Sequence, residues 1–193
     1  MKYSLKRTVE PSVELVSLIE LKAHLRVDHN DDDTALTNLI KACRDAVERD
    51  TGRSLITQTW RLKLDAWPVS AIVLHNGPIQ SVTSITYVDT NGTTQTVSSD
   101  DYVVDTDSTP GLIVLGYAKS WPSPRGDARG IAVTYVAGYG AAGSNVPYEL
   151  RHACLLRCQM EYDGWNADMF GTSRGAVDAY DRIVRGAKVG VYP

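Results

Sequence analysis

Five groups of residues in this 193-residue chain have types and spacings that could do chemistry. Gly138-Tyr139-Gly140-Ala141-Ala142-Gly143 follows an apolar run and matches a dinucleotide-binding glycine pattern. Such a loop must open directly into a helix whose N-terminus meets the pyrophosphate, with an acidic residue ending a strand about 20 positions on. Here Pro147 starts the helix later and Glu161 falls inside it, so the glycines read as a strand-to-helix loop. Gly171-Thr172-Ser173-Arg174-Gly175 spells a nucleophile elbow, which needs a preceding strand and a downstream histidine. All four histidines, at 24, 29, 75 and 152, lie upstream, and hydrolase chemistry is left as a minor alternative. Asp28 to Asp33 invites a calcium reading, but an EF-hand count from Asp28 puts Asp33 at the glycine position and Leu39 at the glutamate position. Cys154 and Cys158 share a helix face with His152 nearby, and Cys43 is the one further thiol; core packing explains them better than a four-donor zinc site. Asn91-Gly92-Thr93 has the form of a glycosylation sequon and reads as a hairpin turn. No catalytic, cofactor or metal residue is assigned, and the chain reads as a non-enzyme.

The elements that would have to position such groups are easier to read. Ser17 and Glu20 form a capping box for a first helix carrying Leu18, Leu21 and Leu25 on one face. The Asp28 to Asp33 carboxylates then sit where a second helix begins and complement its dipole. Leu36, Leu39, Ile40, Cys43, Ala46 and Val47 carry that helix to Asp50, with Gly52 as its left-handed stop. Residues 1–16 read as an arm or an edge strand, since Pro11 confines any strand to an edge.

From Leu55 the period becomes two: Ile56, Gln58, Trp60, Leu62 and Leu64 face one way, and Thr57, Thr59, Arg61 and Lys63 the other. Further strands are expected at Ala71 to His75, Val82 to Asp89, Thr93 to Val97, Tyr102 to Asp105, Leu112 to Leu115 and Ile131 to Ala137. Asn91-Gly92 turns Val82–Val97 into a hairpin. Without intervening helices these strands predict an antiparallel sheet or small barrel. Trp121 in the Pro122-Ser123-Pro124 loop either folds back onto the sheet or offers a contact surface. Helix returns at Val146-Pro147 and stops at Gly164. Residues 164–193, rich in glycine yet carrying Trp165, Met169, Phe170, Val177, Tyr180 and Ile183, read as a tail that docks on another chain, with a short helix over Val177 to Arg185.

The fold class is therefore α+β: an N-terminal helix pair and return C-terminal helices around an inserted antiparallel β-domain. The expected divisions are 1–16 arm, 17–54 helical core, 55–145 β-domain, 146–163 return helix and 164–193 docking tail. A net charge of −3 without concentration in any segment argues against a sequence-specific DNA reader. Three cysteines and an N-terminus without an apolar signal core imply reduced thiols and synthesis in a cytoplasm, and no apolar run is long enough to span a bilayer.

The Leu-Lys-Ala-His-Leu-Arg-Val-Asp helix from Leu21, the aspartate cluster, Val47-Glu48-Arg49-Asp50-Thr51-Gly52-Arg53-Ser54-Leu55 and Ile56-Thr57-Gln58-Thr59-Trp60 resemble the start of tailed-phage head-tail connector proteins. Trp67-Pro68, Gly77 to Val82, Tyr87-Val88-Asp89, Trp121-Pro122, Val133 to Tyr139, Val146-Pro147 and Glu161-Tyr162 extend the resemblance over residues 17 to 163. It implies a non-enzymatic virion subunit in the neck between head and tail, made in the host cytoplasm. Such a subunit forms a homo-oligomeric ring, a dodecamer by resemblance, that caps the portal protein and lengthens the channel through which double-stranded DNA passes. It also receives a tail-side connector or tail terminator protein. Carried onto this chain, the resemblance makes Trp165, Phe170, Tyr180 and Ile183 the portal-docking anchors. The polar side of the second helix, with Lys41, Arg44, Asp45 and Glu48, is expected to face a ring neighbour or the channel. A β-rich tail or baseplate binding module is the other reading kept open. An infectious phage and a domesticated gene-transfer particle fit the sequence equally.

Overall fold

The computed structural model describes residues 3–165 and 174–190. They form two compact units, one comprising Pro11–Ile56 and Tyr139–Gly190, the other Thr57–Gly138 with the N-terminal residues up to Glu10.

In the first unit, α1 (Leu18–Leu25) begins at the capping box the sequence predicts: Ser17 Oγ accepts the Glu20 amide and the Glu20 carboxylate accepts the Ser17 amide. Arg26 closes the helix in the left-handed region. Lys22 then donates to Asn30 Oδ1 at 2.6 Å and Asp33 Oδ1 at 2.7 Å, fastening the acidic turn back onto α1. The helix α2 (Asp33–Thr51) ends on Gly52 at φ +68°, whose amide bonds the Glu48 carbonyl. Two further helices, α3 (Tyr148–Trp165) and α4 (Arg174–Ala187), complete the bundle. The α3 start lies one residue past the predicted proline, with the Pro147 carbonyl accepting from Leu150 and Arg151. Gly164 lies within α3 rather than stopping it. The core gathers Leu21, Leu36, Ile40, Val47, Leu150, Cys154, Ala176 and Tyr180 from the four described helices.

The strands of the second unit are β1 (Tyr3–Val9), β2 (Gln58–Leu64), β3 (Ile72–Leu74), β4 (Ile79–Val88), β5 (Thr94–Thr96), β6 (Tyr102–Asp105), β7 (Gly111–Leu115) and β8 (Ile131–Ala137). They build a five-stranded sheet ordered β1-β2-β8-β4-β5 and a three-stranded sheet ordered β3-β7-β6. Every pairing is antiparallel. Leu62, Leu64, Ile85, Ile131, Val133 and Tyr135 from the larger sheet share one core with Ile72, Leu74 and Ile113 from the smaller. β1 is an edge strand, and Pro11 lies two residues beyond its end. Trp121 folds back: its ring stacks on Trp67 at 4.4 Å, and Trp67 Nε1 donates to the Pro122 carbonyl.

The unit boundary departs from the sequence periodicity at Leu55 and Ile56. Both are fully buried among the helices, where Leu55 donates to Glu48 Oε1 and accepts from the Tyr139 amide. Alternation alone puts Ile56 on the β2 face because it cannot tell a strand from an extended segment that enters a helical core.

Candidate functional site

The centre of α2 is built around Arg44. It follows Ile40 by four residues and precedes Val47 by three, so helix geometry turns it inward with the apolar stripe. Its side chain is 1% exposed. Nε donates to Glu14 Oε2 at 2.8 Å, while Nη1 lies 3.2 Å from Asp45 Oδ1 and 3.5 Å from Glu48 Oε2. Glu48 is buried in turn and accepts the Leu55 amide at 2.8 Å. One guanidinium thus pins the segment before α1 and the turn after α2 to the middle of the helix. A buried charge is tolerable only when paired, and here Nε is hydrogen-bonded to Glu14 while Nη1 makes charge contacts with Asp45 and Glu48 without a hydrogen bond.

This corrects the expectation for Arg44 and Glu48: they face the interior of their own unit and are closed off from a channel or ring neighbour. Their polar type suggested the surface, but their helical position sends them inside. Lys41 is exposed and Asp45 half-exposed. The outward side of α2 also presents Thr34, Ala35, Asn38, Ala42 and Arg49, a weakly charged surface.

At the C-terminal end, Trp165 is 54% exposed, with its ring centroid 5.8 Å from that of Tyr162. Phe170 lies outside the described residues. Tyr180 is 4% exposed, and its hydroxyl donates to Asp50 Oδ2 at 2.7 Å under the Arg157 guanidinium. Burial, and then the Asp50 carboxylate, push the Tyr180 phenol well above its ordinary range. Ile183 is half-buried against the helical core. Arg53 Nε donates to the Ala187 carbonyl at 2.7 Å, and the Val189 amide donates to the Thr51 carbonyl at 2.9 Å. The segment expected to dock elsewhere therefore carries a helix already seated in its own unit. Val177, Tyr180, Ile183 and Val184 recur at helical spacing, which fills a groove as readily in the same chain as in a partner.

The reactive-looking groups are also placed. Cys43, Cys154 and Cys158 are buried free thiols. Hydrogen bonds from Cys154 and Cys43, with burial, push the Cys158 thiol far up, so it stays protonated and unreactive. Among the described residues no group of three or more His, Cys, Asp or Glu side chains is arranged to hold a metal ion. Asp33 is engaged by Lys22, while Asp31 is exposed beside His29. In the Gly138–Gly143 loop, Gly143 lies against the Leu15 carbonyl, and Asn145 Oδ1 accepts the Ala142 amide. Gly140 and Gly143 are thus packed against Asn145 and Leu15, with Ala141 and Ala142 exposed between them. Residues 171–173 of the elbow pattern lie outside the described residues. No described helix is long and apolar enough to cross a membrane.

Comparison with known proteins gives a consistent result. The family model of phage gp6-like head-tail connector proteins matches residues 16–110. A chain in the neck of an empty gene transfer agent particle, solved with C6 symmetry, superposes with a TM-score of 0.81 at 23% identity, covering 98% of this chain and 97% of that one. A chain in the virion of the native gene transfer agent particle gives 0.79 at 22% identity with the same coverage. One in the native neck solved with C12 symmetry gives 0.68 at 23% identity, covering 96% and 97%. No curated protein sequence matches. These similarities establish the mixed α+β fold of a particle-neck chain.

Proposed function

We propose that this chain, whose residues 16–110 match the family model of phage gp6-like head-tail connector proteins, is a structural subunit of the neck of a phage or phage-like particle. Copies assemble into a ring that sits on the portal protein, prolongs the DNA channel and presents a surface to a tail-side connector or tail terminator. The observation that carries this reading is the superposition on a neck chain along essentially the whole length of both chains. The C6 and C12 symmetries of the similar necks support a closed ring of six- or twelve-fold order.

The architecture suits a ring wall. A subunit in such a wall must hold its shape while meeting neighbours on two sides, and here both units have their own apolar cores. The Arg44 network, which engages Asp45 as well as Glu14 and Glu48, ties the segment before α1 and the turn after α2 to the middle of that helix, leaving its outward side, with Lys41, to meet a neighbouring copy. On the portal side, Trp165 and Phe170 remain the proposed anchors, because Tyr180 and Ile183 are engaged within the chain. A large exposed aromatic supplies contact area at low entropic cost.

Mixing the full-length protein with isolated portal rings and sedimenting the mixture tests this. Co-sedimentation that Trp165→Ala weakens by tenfold or more, about 1.4 kcal/mol, is the expected result. Failure of the unaltered chain to join portals contradicts the assignment.

A further inference from the structure

The outward face of the five-stranded sheet carries cations that nothing in the fold requires. The register places Lys6 of β1 directly opposite Arg61 of β2, and Lys63 follows two residues on along β2, opposite Ser4. Lys6, Arg61 and Lys63 alternate with the core residues Leu5, Leu62 and Leu64, so all three stand on the side away from the core, and all three are exposed. No described residue forms an ion pair or hydrogen bond with any of their ammonium or guanidinium groups. Like charges directly opposite in a strand pair are destabilising. The neighbouring positions on this face are Ser4, Thr59 and Thr134 with the small apolar Ala132 and Val136, and none of its strand positions in β1, β2, β8 or β4 is acidic. The carboxylate that follows β2, Asp65, accepts the Arg129 amide at 2.8 Å.

From this juxtaposition we propose that the Lys6–Arg61–Lys63 face binds the phosphate backbone of double-stranded DNA without regard to sequence. Three cations spaced along two adjacent strands, interleaved with hydroxyl donors, offer what phosphate oxygens accept. The face lacks the buried aromatic or aliphatic anchor around which a protein partner's binding energy concentrates. A few exposed charges and hydroxyls instead give weak, salt-sensitive contact that lets a duplex move past. This deepens the neck-subunit reading by naming the surface that meets DNA, and it relocates that role from the polar side of α2 to the sheet. Because the contact is measured on the isolated full-length chain, it stands or falls separately from ring formation.

The test is binding of a fluorescent random-sequence duplex to the full-length protein across a low-salt series, comparing the unaltered chain with K6Q/R61Q/K63Q. As a control, R174Q/R182Q/R185Q removes an equal number of exposed cations from α4. Each phosphate contact contributes about −0.9 to the slope of log K against log salt, so the sheet variant should flatten the slope by about 2.7 per bound chain while the control leaves it unchanged. Lys6→Glu should weaken DNA binding and raise the thermal midpoint, since it turns the cross-strand repulsion into an attraction; that gain also shows that lost binding is not lost folding. An unchanged slope in the sheet variant overturns the proposal, as does an unaltered chain that does not bind the duplex at low salt. So does a sheet variant that keeps its DNA affinity but no longer joins portals, which would make the face a docking site for an acidic protein.

Discussion

Replacing Arg44 by methionine removes the guanidinium while keeping most of the side-chain volume, so it isolates the electrostatic role of this residue. Its partners respond differently. Glu14 and Asp45 are 31% and 36% exposed and regain solvation when the cation is lost. Glu48 is 7% exposed and does not. Its carboxylate would remain buried with the Leu55 amide but without its counter-charge. Removing one member of a buried pair costs about 3–5 kcal/mol, and the retained Leu55 hydrogen bond places this case near the lower end, at about 3 kcal/mol. Adding Glu48→Gln should recover about 1–2 kcal/mol, because the amide oxygen still accepts from Leu55 and no buried charge is left unpaired. Urea unfolding followed by the helical circular-dichroism signal measures both variants. A loss below about 1 kcal/mol for Arg44→Met, or no recovery in the double variant, would refute the claim that Glu48 depends on this cation.

Ser17→Ala should cost about 0.5–2 kcal/mol by removing the α1 cap, measured by the same denaturation. The Glu20 carboxyl is held below its usual range, chiefly by the Ser17 amide and further by the Ser17 hydroxyl and Arg151. A depressed folded-state pKa contributes stability that is present above the ordinary glutamate range and lost as pH falls through the folded value. Glu20→Gln should therefore flatten the acid limb of the stability–pH curve. Tyr180→Phe removes a hydroxyl donated to a carboxylate and should cost about 1.5–3 kcal/mol, with the partial exposure of Asp50 favouring the lower figure. Because the folded-state Tyr180 pKa is raised, its contribution is full below the ordinary phenol range and is lost as pH climbs through the folded value. Alkaline unfolding of the parent chain should thus show a phase that Tyr180→Phe lacks. Gly143→Ala would drive a Cβ into the Leu15 carbonyl and should destabilise by about 1–3 kcal/mol, visible as a lowered thermal midpoint.

Local signals in the sequence carried much of this fold. The Ser17–Glu20 box, the Gly52 stop and the Asn91-Gly92 turn each depend on a few adjacent residues, and each stands where it is expected. What stayed hidden depends on contacts distant in sequence. The separation of β3, β7 and β6 into their own sheet is a matter of pairing, which alternation does not encode. Arg44 and Glu48 are of surface type, but the four-residue steps from Ile40 to Arg44 and on to Glu48 put both on the inward side of α2. The α4 segment reads as a docking tail because Gly175 and Gly186 lie near its ends and nothing local shows that it folds back on α3, with Arg157 over Tyr180, or that Asp50, 130 positions earlier, accepts the Tyr180 hydroxyl. The opposition of Lys6 and Arg61 appears only once the β1–β2 register is known, although alternation had already placed Arg61 and Lys63 on the outward side.

On the proposed function, this chain works by repetition around an axis. Electron microscopy of the purified full-length protein, alone and mixed with isolated portal rings, tests it most directly. Closed rings in end view that stack coaxially on portals in side view, with an open central channel, are expected. Particles that remain single chains both alone and beside portals would contradict it.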